Sequence, residues 1–141
     1  MWKVVASSLI ALVILQGAPA VSGAERTRRT AVTKDCLHLD VRPASIVFTC
    51  ADGGFFVRRL QWRAWHHRAA FARGVFHRND CDPSCVGGTF AVTAGTLRLT
   101  HRRWCEGWDR YVFQRAVMMF DTPLLGQERE AFDLFCPFRD P

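Results

Sequence analysis

Apolar and polar residues alternate over short runs of this chain, and turn-forming residues separate the runs. Over residues 45–50 Ile46, Phe48 and Cys50 fall on one face, after Pro43, which suits the start of a strand. Ala51-Asp52-Gly53-Gly54 then reads as a turn, and residues 55–62 resume as a second strand, giving a hairpin. Residues 69–77 predict another strand, with Gly74 marking a close backbone approach. A helix over 62–73 is the alternative, since Ala64, Ala69, Ala70 and Ala72 are helix formers and no proline interrupts them. Residues 90–100 are rich in Thr and Val, and their parity changes at Ala94-Gly95, which predicts a bulge or bend. Residues 111–120 form a further strand, and Phe132, Leu134 and Cys136 mark a last one. Short strands separated by turn signals predict an all-β fold, a disulfide-stabilised antiparallel β-sandwich or partly closed barrel.

One segment departs from this pattern. Met1-Trp2-Lys3 is followed by an apolar run to Leu15, shorter than a membrane span, and then by Ala18-Pro19-Ala20 and Ser22-Gly23-Ala24. This is the layout of a secretory signal peptide, with small residues ahead of the cut. Cleavage is expected after Ala24, and the alternative is an uncleaved anchor. Residues 1–24 are therefore assigned to the signal peptide, 25–35 to a disordered, Arg-rich arm and 36–141 to a single β-rich domain. The location follows: secreted, extracellular or associated with the cell envelope, with no stable membrane span after cleavage.

Export changes how the cysteines are read. All six, Cys36, Cys50, Cys81, Cys85, Cys105 and Cys136, lie beyond the leader, and an even count in an exported domain predicts disulfides. Spacing does not choose among the pairings, although Cys50 and Cys136, on the apolar faces of the first and last strands, are one conceivable bridge. Losing the leader removes Lys3 and leaves a net charge of +5, with Lys34 the lone lysine among many arginines. The heavy use of Arg over Lys fits a GC-rich genome as well as phosphate recognition.

Several ordered motifs carry a resemblance. Arg42-Pro43, Ile46, Cys50-Ala51-Asp52-Gly53, then Leu60, Trp62 and Trp65, then Asn79-Asp80-Cys81, Pro83, Cys85 and Gly88 together resemble a family of small secreted actinobacterial proteins. A looser match continues through Cys105-Glu106-Gly107 to Phe113, Val117 and Phe120. The resemblance implies a secreted, β-rich fold and brings no catalytic residues with it. Gly54 and the Arg- and His-rich block after Trp65 depart from the pattern.

Three kinds of chemistry are candidates. His77, Cys81 and Cys85 are spaced by four, as are His101 and Cys105, which on a helix would make metal claws. Pro83 and Gly87-Gly88 break such a helix, and oxidation removes the thiolates zinc needs, so the stretch is expected to be a disulfide staple with no metal and no cofactor. A small hydrolase with its site between His77 and Cys85, using Ser84 with His77 and Asp80 or Asp82, is the alternative function. No nucleophile elbow supports it. Glu128, Glu130 and Asp133 could include a glycosidase pair but read more simply as a solvated edge.

The remaining signal is charge asymmetry. Between Gly53 and Asn79 lie Arg58, Arg59, Arg63, Arg68, Arg73 and Arg78 with no acidic residue. If Arg59 and Arg63 project opposite Leu60 and Trp62, a cationic strip with aromatic neighbours would attract anionic polymers. The bland reading is a solvated face over an aromatic core. The expected function is a non-enzymatic binding or envelope-associated module, binding anionic cell-wall or envelope polymers through Arg58, Arg59, Arg63, Arg68 and Arg73. Nucleic acid is not the expected partner.

Overall fold

A computed structural model describes residues 29–137. The expected signal peptide, its cleavage site and residues 25–28 of the expected arm lie outside the described residues. Eight strands are present among the described residues: β1 (Val32–Thr33), β2 (Leu39–Asp40), β3 (Ile46–Val47), β4 (Phe55–Trp65), β5 (Ala70–Asn79), β6 (Phe90–Cys105), β7 (Arg110–Leu124) and β8 (Gln127–Asp133). A 3₁₀ turn at Glu106–Trp108 joins β6 to β7. Strands β3 to β8 make one antiparallel sheet in chain order, and β1 and β2 pair beside it. Among the described residues no helix is long and apolar enough to cross a membrane.

The sheet curls on itself. Phe132 of β8 lies 5.9 Å from the Phe48 ring and 6.0 Å from the Phe55 ring, although β4 and β8 are far apart in strand order. Arg78 of β5 reaches Glu130 of β8 across the same concavity. The result is a half-barrel, the partly closed barrel of the two predicted alternatives, with one sheet covering its own core. Alternate residues line the inside: Val57, Phe76, Leu97, Leu99, Ala116 and Met118 are all buried. Burying a side chain of this kind contributes about 1.5–3 kcal/mol.

The strand expected over 69–77 is present as β5, and the helical alternative over 62–73 does not form: these residues end β4, turn at His66–Ala69 and start β5. Other expectations change. No bulge occurs at Ala94-Gly95. Gly95 pairs with Gly74 in an unbroken register, and Thr93, Gly95, Leu97 and Leu99 are inward and buried. The parity change is only apparent, because Gly95 occupies an inward position that holds no side chain. A Cβ there would stand 2.4 Å from the Met119 carbonyl oxygen.

The last strand begins earlier than expected, at Gln127, and stops before Leu134 and Cys136. A tight turn with Leu125 (φ 48°) and Gly126 (φ 82°) sets it up. The bridges are Cys36–Cys50, Cys81–Cys85 and Cys105–Cys136, so the conceivable Cys50–Cys136 bridge is not the one formed. Among the described residues no cysteine is free.

The disordered arm expected over 25–35 is ordered from Arg29. Thr30, Ala31, Val32 and Thr33 are almost fully buried. The reason is an open sheet edge: β8 pairs with β7 only from Arg115 onward, leaving the first residues of β7 unpartnered on that side. Ala31 fills the gap as a parallel bridge, its N–H donating to Tyr111 (2.9 Å) and its carbonyl accepting from Phe113 (2.9 Å). Trp65 Nε1 donates to the Thr30 carbonyl (2.9 Å).

Candidate functional site

The outer, convex face of the half-barrel is built by two irregularities in β4. Arg59 and Leu60 together oppose Gly74, and Arg63 is an extra residue between Trp62 and Ala64. Arg59 takes a left-handed backbone (φ 55°), which returns Leu60 to the core side after Phe55 and Val57. Gly74 accommodates the crowding: a Cβ there would meet Val57 Cγ2 at 2.8 Å and Leu60 Cδ2 at 3.0 Å.

Cross-strand register then aligns two rows on the outside. One runs Gln61, Arg73, Thr96, Met119, Arg129, and the other Ala64, Phe71, Arg98, Val117, Ala131. Between these rows lies a groove of about 390 Å³, lined by Arg63, Phe71, Arg73, Thr96, Arg98 and Met119, with Ala72 and Leu97 at its floor. The Arg98 guanidinium sits 5.6 Å from the centre of the Phe71 ring. Arg73 is paired with Asp121. Arg63 and Arg98 have no carboxylate partner among the described residues, so the groove carries an excess of positive charge.

A second part of the same face adjoins it. Phe56 and His77 stack with ring centres 4.8 Å apart, Phe90 lies 5.6 Å from Phe56, and the Arg58 guanidinium covers the Phe56 ring at 4.6 Å. Burial, followed by the charges of Arg58 and Arg59, holds the His77 imidazole below its ordinary pKa.

The five predicted arginines thus separate. Arg58 and Arg59 flank the aromatic part, Arg63 and Arg73 line the groove, and Arg68 is exposed in the turn before β5. Arg78, in the same basic block, points to the concave side, where it pairs with Glu130 and lies 5.1 Å from the centre of the Phe55 ring. Arg98 was not among the predicted residues. It stands on β6, and only the register that sets it beside Phe71 reveals its place.

The loop containing "NDCDPSC" is a staple, and His77 is not part of it. The donor atoms that come together are those of Asp52, Cys81 and Cys85, all within 4.8 Å of one another. Asp52 accepts from the Gly54 N–H at 2.9 Å, which, with Thr49, holds its carboxylate below the ordinary range. Asn79 N–H donates to the Gly54 carbonyl at 2.7 Å, so the Cys50-Ala51-Asp52-Gly53 and Asn79-Asp80-Cys81 motifs meet at one end of the half-barrel.

The other sequence candidates are dispersed. Ser84 Oγ accepts from the Gly87 N–H, and no hydrogen bond links it to His77. His101 contacts Thr100, while Cys105 is buried in its bridge to Cys136. Glu130 and Asp133 lie on opposite faces of β8, paired with Arg78 and Arg115 respectively, so they do not flank one substrate bond.

No protein-family profile matches the chain, and neither a curated protein nor a solved structure matches it.

Proposed function

We propose that this protein is a secreted, non-enzymatic binding module, associated with the cell envelope, whose convex sheet face holds anionic polymers. The observation that carries the reading is the groove in which Arg63, Arg73 and Arg98 converge on Phe71 and Met119, with Asp121 the one carboxylate paired to them among the described residues. Guanidiniums present planar, pre-organised forks of donors to phosphate or carboxylate groups, so less freedom is lost per hydrogen bond formed than with an ammonium. Apolar side chains between them receive the uncharged part of a repeating unit. Arg58 over Phe56 extends the same chemistry along the face, which suits a chain-like ligand better than a single small ion.

Calorimetric titration with linear polyphosphate tests this directly. Replacing Arg63 and Arg98 together by Ala is expected to weaken binding at least about tenfold, because each guanidinium that bonds an anion contributes about 1 kcal/mol or more. Replacing Arg78, on the concave side, is expected to leave affinity unchanged. Equal affinity of the wild type and the Arg63→Ala, Arg98→Ala variant would refute the assignment.

A further inference from the structure

The Cys81–Cys85 bridge lies in the exposed connection between β5 and β6, and Cys85 itself is exposed. Opening it takes two electrons and two protons and gives two thiols, with a dithiol or a phosphine as the electron donor. In most loops the thiols would then drift apart. This loop is pinned by hydrogen bonds that do not involve sulfur. Asn79 Nδ2 donates to the Cys85 carbonyl (2.8 Å), and Asn79 Oδ1 accepts from the Cys81 N–H (2.9 Å). Asp80 Oδ1 accepts from the Asp82 and Thr89 N–H groups (3.1 and 2.9 Å), and Asp80 N–H donates to the Thr89 carbonyl (3.0 Å). These bonds anchor both cysteine backbones independently of the sulfur–sulfur bond. The Asp52 carboxylate is anchored as well, by its own Gly54 N–H.

We propose that reduction turns the Cys81–Cys85 staple into a metal claw, in which the two thiolates and the Asp52 carboxylate hold a zinc-type divalent cation. The Asp52 carboxylate already lies within 4.8 Å of both sulfurs, and the sulfurs, bonded to each other in the bridge, must part on reduction to the roughly 3.8 Å that two Zn–S bonds of about 2.3 Å span at a tetrahedral centre. A fourth position remains for water or an incoming ligand. Cation binding displaces the two thiol protons, so uptake releases acid and strengthens as pH rises. The oxidised and metal-bound forms exclude each other, because a cystine has no thiolate to offer. This inference stands apart from the polyanion reading, which concerns another face.

The test is graded phosphine reduction of the full chain, with peptide mapping to find when Cys81 and Cys85 are free, then alkylation with and without zinc. Zinc is expected to slow alkylation of Cys81 and Cys85 by about tenfold or more, with one zinc per chain in native mass spectrometry. Asp52→Asn should remove most of that protection. The paired Cys81→Ser and Cys85→Ser variant should keep its β-sheet signal and hold no zinc. Unchanged alkylation rates, protection that survives Asp52→Asn, or zinc mapped to Cys36 and Cys50 overturns the proposal. Loss of the sheet signal when Cys81–Cys85 opens overturns it too, since the claw needs the loop in place.

Discussion

His77 and Arg59 show how single residues register the charge of the convex face. Burial and the neighbouring Arg58 and Arg59 disfavour the imidazolium of His77, so its midpoint in an NMR pH titration is expected below the ordinary 6.5. The unfolded chain binds that proton more readily than the folded one. The stability His77 contributes is therefore present above 6.5 and is lost as pH falls through its lower midpoint. His77→Gln should flatten that part of the pH–stability curve, and polyphosphate, by neutralising Arg58 and Arg59, should raise the midpoint. A midpoint at or above 6.5 in the free protein contradicts the description of this patch. Arg59 presents the complementary case, since its φ of 55° is strained for a side-chain-bearing residue. Arg59→Gly is expected to raise stability by up to about 1 kcal/mol in urea melts while weakening polyanion binding.

At the scale of elements, the cross-strand pair Gly74 and Gly95 sits where β5 crowds against β4 and β6 against β7. Gly95→Ala would set a methyl against the Met119 carbonyl, which is backbone and cannot turn aside, whereas Gly74→Ala meets chiefly the ends of Val57 and Leu60. Denaturant melts should show about 1–3 kcal/mol lost for Gly95→Ala and less for Gly74→Ala. The reverse order would mean that β6 does not approach the Met119 carbonyl of β7 as closely as described. The pattern of the chain made β4, β5 and β7 legible, because Val57, Phe76 and Met118 fall at inward positions of alternating strands. It misplaced β8, whose Gln127 to Arg129 carry no apolar signal and which is a strand because the Leu125-Gly126 turn folds it back on β7. The adjacent Arg58 and Arg59 break the alternation in β4 and were the visible trace of a bulge. Arg98 had no such trace, since its site role arises only from pairing with Phe71.

At the largest scale the described residues form a half-barrel closed by devices distant in sequence. The segment from Thr30 to Thr33 completes the edge of β7 and gives Trp65 its acceptor, so removing residues 1–33 should cost about 3–5 kcal/mol in denaturant melts. This closure was invisible in the sequence because the segment is short and Arg-rich neighbours mask it. Loop closure orders the bridges: Cys105–Cys136 spans 31 residues, Cys36–Cys50 spans 14 and Cys81–Cys85 spans 4. Their removal should cost about 3.7, 3 and 2 kcal/mol respectively, an order that melts of the three paired Cys→Ala variants would check.

With the concave side filled by core, the convex face is left as the broad surface of the sheet, and the central claim is that it holds anionic chains by charge. The most direct test is the salt dependence of polyphosphate affinity for the wild type and for the Arg63→Ala, Arg98→Ala variant. The logarithm of the association constant should fall linearly with the logarithm of salt concentration, and the slope should shrink by about two in the variant, about one for each arginine. Affinity indifferent to salt, or equal slopes for the two proteins, would contradict the account.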